Sequence, residues 1–203
     1  MPSRYAPPGP NASVSCLNRG GLRSTVRDGS TVSGVTRPVL LLDVDGVLNP
    51  FPPFEARFEA LPAARCHYDP TNAERLGTLL SKFEIVWCTG WEDKANEFIA
   101  AAHGLPELEV IKFDYSRPEL HDLESWDGEE EQFSWKLSWI RRWLRERGEP
   151  AVAWLDDQVE DDAYRWAVER NRQGHPTLLV KTQETVGLTA RHTHRLLQWA
   201  AGL

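Results

Sequence analysis

The chain has 203 residues, enough for one domain with a substantial core, and its formal net charge is −7. That acidity argues against a protein that coats nucleic acid, because phosphate backbones are bound through Lys and Arg, but it allows a local basic site. The three cysteines are widely spaced, which argues against a zinc ribbon or a disulfide framework and favours a reducing compartment. The chain has no apolar run of membrane-spanning length and no secretory signal at its start, so we expect a cytoplasmic protein.

Residues 1–37 are rich in Pro, Gly, Ser, Asn and Arg and contain few clustered large apolar residues. Such a segment cannot bury enough surface to offset its chain entropy, so we expect it to be disordered. It is either a basic tail or an extension without a role. We therefore expect one folded domain over residues 38–203.

The run Val39–Leu42 is the first strong structural signal, and Asp43, Asp45 and Gly46 follow it. A continuous aliphatic run predicts a strand buried on both faces, as in a parallel sheet. Side chains alternate along a strand, so the two acids are expected on one side, and Gly46 allows a sharp turn. Two such acids repel each other unless a cation lies between them. The alternative is an Asx-type turn in which they bond only their own backbone.

Strands and helices alternate through the rest of the sequence. A proline-rich loop or short hairpin follows Asn49, and Asp69 and Pro70 are typical of a helix start, with Asp69 as the N-cap. Further strands are predicted at 83–88, 108–113, 151–155 and 177–181, and further helices at 92–102, 133–147, 159–170 and 189–200. The acidic segment 114–132 is predicted to be a solvated loop. This order predicts an α/β, Rossmann-like three-layer sandwich with a five-stranded, mainly parallel sheet.

Three tryptophans, at positions 135, 139 and 143, form one stripe on the predicted helix 133–147. The spacing of this stripe is that of a buried helix face, so we interpret it as core packing and not as a base-stacking platform.

Polar residues end three of the predicted strands. Asp43 and Asp45 follow the first, Thr89 follows the second, and Asp156 and Asp157 follow the fourth. The ligand crevice of an open parallel sheet lies beyond the carboxyl ends of its strands, so we expect these side chains to meet there. Oxygen ligands select a hard cation, and Mg²⁺ is the ion we expect.

A carboxylate beside Mg²⁺ is suited to phosphoryl chemistry. An Asp can attack phosphorus to form an aspartyl-phosphate, and a second acid can protonate the leaving oxygen and then activate water. Thr89 and the amides after it, including that of Gly90, are candidates for binding phosphate, although Glu92 also fits a capping box with Thr89. Lys136 is the candidate fixed positive charge, although a helix lysine is more often a solvated surface residue.

In this order, the segments LLLDVDGVLN (40–49), VWCTGW (86–91), Lys136 and WLDD (154–157) resemble the four motifs of the haloacid dehalogenase (HAD) superfamily. The segments VDGVLNP (44–50), TGWEDKAN (89–96) and WLDD are more closely similar to the small HAD domains associated with Swiss Army Knife RNA repair proteins. The likeness covers about residues 38–203.

The resemblance implies a role for each motif residue. Asp43 would be the nucleophile and Asp45 the general acid/base, while Thr89, Gly90 and Lys136 would hold the phosphoryl group. The metal ligands implied are Asp43, Asp45 through its backbone carbonyl, Asp156 and Asp157. The acid at position 45 is a feature in which this sequence resembles the phosphatases of the superfamily. Asp161 or Asp162 is a further candidate for supporting the metal, and a solvated helix face explains both equally well.

Two segments could hold a cap domain, one after the first motif and one between the second and third motifs. Both are too short to form a cap domain with its own core, so we expect a minimal cap or none. An open site suits a large substrate, and Trp91 could stack on a base, although burial is the simpler interpretation. We therefore expect a Mg²⁺-dependent phosphatase acting on a phosphorylated substrate such as a polynucleotide end or nucleotide. The alternatives are a non-catalytic phosphate-binding or interaction domain and a phosphotransferase. The sequence does not predict the oligomeric state.

Overall fold

The structure is a computed structural model and describes residues 37–53, 57–114 and 134–203. In chain order the strands are β1 (Val39–Leu42), β2 (Glu59–Leu61), β3 (Cys66–Tyr68), β4 (Glu84–Trp87), β5 (Glu109–Val110), β6 (Val152–Asp156) and β7 (Thr177–Lys181). Five of them form a sheet of order β5-β4-β1-β6-β7 in which every pairing is parallel, and β2 and β3 form an antiparallel hairpin. The predicted α/β fold is therefore confirmed.

The helices are α1 (Asn72–Leu80), α2 (π-helical Ala95–Ala100 continued by Ala101–His103), α3 (Leu137–Glu146), α4 (Asp161–Arg172) and α5 (Ala190–Ala201). Asp69 accepts a 2.9 Å hydrogen bond from the backbone N–H of Thr71, as an N-cap does, but regular helix begins only at Asn72. Gly104 ends α2 in the left-handed conformation, at φ +66°, which glycine adopts readily at a helix C-terminus.

Helices cover both faces of the sheet, and each face has its own core. Leu40 and Leu42 of β1 point into a core shared with α1, α2 and α5. Val39 and Leu41 point into the other core, which α3 and α4 complete. This alternation follows from the two-residue period of a strand. The three-layer sandwich is therefore built around β1, the central strand.

The predicted tryptophan stripe lies in the second core. Trp139 and Trp143 are buried, and Trp135, just before α3, packs partly against the same cluster. Core packing is therefore the correct interpretation of these three residues.

The register of the sheet brings three strand ends together. Leu42, the last residue of β1, is paired with Trp87 of β4 on one side and with Leu155 of β6 on the other. The chain proceeds from β1 outward to β4 and β5 and then crosses back to β6, so the strand order reverses beside β1. Such a reversal opens a crevice at the carboxyl edge of a parallel sheet.

Between β1 and α1 the described residues form only the hairpin β2–β3, in accord with the absence of a cap domain there. The segment predicted to be disordered (1–37, apart from its last residue) and the acidic loop (114–132, apart from Asp114) lie outside the described residues. Within the described ranges, every helix is too short or too polar to cross a membrane.

Candidate active site

The turn that follows β1 carries the first two predicted site residues, Asp43 and Asp45. Strand pairing ends at Leu42, so the alternation of a strand does not set the directions of the two side chains. Residues 44–49 instead fold into a tight turn in which three backbone N–H groups donate to the carbonyl of Val44, two of them at 2.8 Å and one at 3.2 Å. The two acids therefore enter different environments.

Three acids meet at the carboxyl edge of the sheet. One carboxylate oxygen from each of Asp43, Asp156 and Asp157 lies within 4.8 Å of the other two. All three residues are at least nine-tenths buried. Asp43 follows β1 and Asp156 ends the neighbouring β6, so the parallel pairing of these strands brings together acids more than a hundred positions apart. The carboxylate of Asp45 is not in this group of described side chains.

Gly46 makes room for Asp157. The backbone of Gly46 has φ +66°, and a Cβ atom at this position would lie 2.4 Å from Cγ of Asp157. No side chain fits so short a distance, so the carboxylate occupies space that only glycine leaves open. The turn after β1 and the end of β6 are thereby fitted to each other.

Lys136 is the positive charge of the cluster. Its Nζ lies 2.8 Å from Oδ2 of Asp43 and 2.7 Å from Oδ2 of Asp156, and the side chain is only 4% exposed. It lies immediately before α3. The alternative of a solvated surface lysine is therefore wrong. Burial opposes its charge, but attraction from the two carboxylates raises the pKa of Lys136 above its usual range.

The cluster contains more negative than positive charge. Burial, and then the neighbouring Asp156, raise the pKa of Asp43 to about 7 although Lys136 acts against both. The same two causes raise the pKa of Asp157 to about 6. Three carboxylates facing one ammonium would be balanced by a divalent cation, and an all-oxygen donor set matches Mg²⁺. The donor set and its spacing therefore fit the predicted ion.

Asp45 is held by two neutral donors. Nε1 of Trp91 lies 2.9 Å from Oδ2 of Asp45, and Nδ2 of Asn49 lies 2.6 Å from Oδ1. Among the described residues, neither oxygen forms an ion pair, so neutral donors orient both. The contact with Trp91 joins residues 46 positions apart and has no signal in the sequence.

Thr89 and Gly90 follow β4, beside β1. Thr89 is fully buried, and its Oγ1 accepts a 3.3 Å hydrogen bond from the backbone N–H of Trp91. Among the described residues, the backbone N–H of Gly90 has no hydrogen-bond partner, so it is available to an anion. The turn that contains these residues precedes α2, which begins only at Ala95, so their N–H groups do not lie in the first turn of that helix.

The capping-box alternative for Thr89 is wrong. Oε1 of Glu92 instead accepts a 3.1 Å hydrogen bond from the backbone N–H of Phe113, just beyond β5. Glu92 itself has φ +47°, outside the helical region. Its carboxylate thus ties the loop after β4 to the neighbouring strand.

Further residues support the site from outside the acidic group. Nε1 of Trp154 lies 3.0 Å from Oδ2 of Asp156, a contact that the spacing of two along β6 could have indicated. Asp162 accepts hydrogen bonds from the backbone N–H of Ser134, two residues before Lys136. Asp162 therefore supports the segment that carries the lysine, and Asp161 is exposed at the start of α4. Neither belongs to the acidic group among the described side chains.

Comparison with known proteins agrees with this geometry. The sequence model of one family, described as the HAD domain in Swiss Army Knife RNA repair proteins, matches residues 39–193, from β1 into α5. Searches of curated proteins and of solved structures found no match. The matched region contains every predicted site residue. The chain therefore belongs to the family of HAD domains in Swiss Army Knife RNA repair proteins, and with it to the HAD-type hydrolases.

Proposed function

We propose that this domain is a Mg²⁺-dependent phosphomonoesterase that acts through an aspartyl-phosphate on Asp43. The proposal rests on one observation. Asp43, Asp156 and Asp157 are buried together with Lys136 at the carboxyl edge of the sheet. A structural ion pair would need one acid for one lysine. Here three acids surround one lysine, which suits a site that binds a cation and an anionic substrate together.

HAD domains generally use Mg²⁺, and the carboxylates of Asp43, Asp156 and Asp157 would hold it, with the backbone carbonyl of Asp45 as a further ligand. When bound, the ion supplies positive charge that lets an anionic nucleophile approach an anionic phosphate.

Asp43 is the nucleophile in this proposal. Lys136 holds its Oδ2, which orients the carboxylate and leaves the other oxygen to attack. That oxygen forms a bond to phosphorus while the bond from phosphorus to the leaving oxygen breaks. Lys136, the Thr89 hydroxyl and the free N–H of Gly90 bind the remaining phosphoryl oxygens.

Asp45 is the general acid and then the general base. It first gives a proton to the leaving oxygen, and it then takes a proton from the water that attacks the aspartyl-phosphate and releases inorganic phosphate. Each of its oxygens accepts one hydrogen bond, from Trp91 or Asn49, and so keeps a second lone pair for that proton.

The proposed substrate is the phosphorylated end of a polynucleotide or a nucleotide. Between β1 and α1 the described residues form only the short β2–β3 hairpin, which supports a substrate too large to be enclosed. The name of the family points the same way.

The test is hydrolysis of p-nitrophenyl phosphate with and without Mg²⁺ by the full chain. We expect metal-dependent turnover that falls at least about a hundredfold in Asp43→Asn, because the nucleophile is removed. Glu146→Gln is the matched control, since it also replaces one acid by an amide but lies exposed at the far end of α3.

Two results would contradict the proposal. Phosphate binding without turnover of any phosphoester would indicate a non-catalytic binding domain. Transfer of the phosphoryl group to an added alcohol in preference to water would indicate a phosphotransferase.

A further inference from the structure

An open cleft of about 560 Å³ lies beside the candidate active site. Its walls are the turn of the β2–β3 hairpin, the loop after β4 and the first turns of α2. Two of its lining residues, Gly90 and Trp91, also belong to the site. A volume of this size accommodates a small ligand or one unit of a polymer.

The cleft lies on the side of the leaving group. This step rests on the proposed function, in which Asp45 protonates the leaving oxygen and so must touch the leaving group. Oδ2 of Asp45 is 2.9 Å from Nε1 of Trp91, and Trp91 is one of the residues that line the cleft. A leaving group in contact with Asp45 therefore extends past Trp91 into this cleft.

The charges in the cleft favour an anion. Arg65 and Lys94 line it, both are exposed, and neither forms an ion pair with any described residue. Glu97 lines it too, which leaves the lining one positive charge in excess within a chain of net charge −7. Two available cations beside a phosphate-binding loop are suited to a second phosphate.

The remaining surface of the cleft is aromatic. Trp91 and Phe98 both line it and are half-buried, so both residues remain partly accessible. Aromatic faces next to cations are the arrangement with which proteins bind single-stranded nucleic acid, because each base has a flat face and each link carries a charge. A phosphopeptide has the charge without a regular flat ring.

We propose that this cleft is a leaving-group subsite in which Trp91 and Phe98 contact a nucleoside while Arg65 and Lys94 bind the phosphodiester that follows it. A nucleoside monophosphate has only the phosphate that reacts and leaves the two cations without a ligand. The enzyme therefore prefers a phosphorylated end with at least two nucleotides over a mononucleotide.

The first test compares kcat/KM for a terminally phosphorylated dinucleotide and for the matching nucleoside monophosphate. We expect the full chain to prefer the dinucleotide by about tenfold, the value of one charge-assisted hydrogen bond. The preference should nearly disappear in Arg65→Asn/Lys94→Gln, where Asn suits the positive φ of residue 65. It should persist in Lys82→Gln/Arg172→Gln, which removes the same charge at the opposite edge of the sheet.

The second test is independent of turnover. A fluorescent, terminally phosphorylated tetranucleotide is titrated with the full chain carrying Asp43→Asn, and its anisotropy is followed. The cleft double substitution should weaken binding at least about fivefold and the control double substitution should not, because only the cleft cations meet the backbone.

The results separate the two proposals. Turnover of p-nitrophenyl phosphate without a dinucleotide preference, or with one that survives the cleft substitutions, would overturn the subsite and leave the phosphatase intact. Equal turnover of a phosphoserine peptide and the dinucleotide would overturn the substrate class. Without any phosphatase activity, tetranucleotide binding that depends on Arg65 and Lys94 would support the subsite, and binding independent of them would reject it.

Discussion

At the level of single residues, Asp43 and Asp45 are held in place by different kinds of contact. Asp43 faces the ammonium group of Lys136 at 2.8 Å, a contact that favours the charged carboxylate. Asp45 faces the neutral N–H groups of Trp91 and Asn49. Neutral donors orient the Asp45 carboxylate and leave each oxygen a lone pair for the proton that the proposed acid/base steps transfer. The two environments match the proposed roles of nucleophile and acid/base.

Trp91→Phe tests Trp91 as a positioning residue for Asp45, since it keeps an aromatic ring and removes the indole N–H. We expect kcat on an alkyl phosphate to fall about tenfold, the effect of one lost hydrogen bond to a charged group. Hydrolysis of p-nitrophenyl phosphate should fall much less, because its leaving group needs little protonation. The measurement is the ratio of the two rates.

Trp199→Phe is the control for this substitution, since Trp199 stacks on Phe83 in the core beneath α5. An equal loss on both substrates in Trp91→Phe would mean that the indole acts on binding or folding and not on Asp45.

Short connections between elements do as much as the strands to shape the site. The turn at 44–49 presses Gly46 against Asp157, and the loop after β4 is tied through Glu92 to Phe113. Each contact joins two segments that are distant in the chain. The positions of the acids and of Thr89 therefore depend on how neighbouring connections fit.

Gly46→Ala tests the fit between the first turn and β6. We expect a loss of about 1–2 kcal/mol in the free energy of unfolding from the left-handed backbone alone, and a further loss from the contact with Asp157. Because Asp157 must move, the rise in melting temperature on adding Mg²⁺ should also shrink. Urea unfolding and thermal melts with and without Mg²⁺ measure both effects.

Gly104→Ala is a matched control, since Gly104 has the same φ of +66° but open space around the position of a Cβ. It should show the backbone strain alone and keep the full response to Mg²⁺. If the two variants behave alike, the contact of Gly46 with Asp157 has no part in the metal site.

A buried histidine affects stability at the scale of the whole molecule. His103, in the last turn of α2, is 5% exposed, and neither ring nitrogen has a hydrogen-bond partner among the described residues. Burial lowers the pKa of His103 to about 4, against the attraction of Asp69. The unfolded chain takes up this proton near pH 6.5 and the folded chain only near pH 4, so stability falls as the pH is lowered between these values.

His103→Phe keeps the edge-to-face contact with Tyr68 but cannot take up a proton. Lowering the pH from 7 to 5 should reduce the free energy of unfolding of the wild type by about 2 kcal/mol more than that of the variant. The raised pKa values of Asp43 and Asp157 increase stability as the pH is lowered, but they do so equally in the wild type and the variant. The difference between the two proteins therefore isolates the contribution of His103. Urea unfolding at the two pH values measures it, and parallel pH dependence would show that His103 is protonated in the folded state.

Particular elements show how far the sequence reaches. The strand predicted at 177–181 was correct to the residue, whereas that at 108–113 is only Glu109–Val110. Ile111 and Phe113 are buried but lie beyond the end of the strand, and hydrophobicity alone does not distinguish a buried strand residue from a buried loop residue. The helix predicted from residue 92 begins at Ala95, because Glu92 adopts a positive φ and bonds the backbone of Phe113.

The alternation of strands and helices, the parallel sheet and the acids that follow its strands can all be predicted from the chain alone. Each of them depends on a local pattern: the hydrophobic period, the residues that cap helices and the residue that follows each strand. Three features required the three-dimensional packing: Lys136 is buried between two acids, Trp91 holds Asp45, and Arg65 and Lys94 line one cleft. Each of these contacts joins segments at least 20 positions apart, and their meeting depends on strand order and turn geometry, which no local pattern encodes.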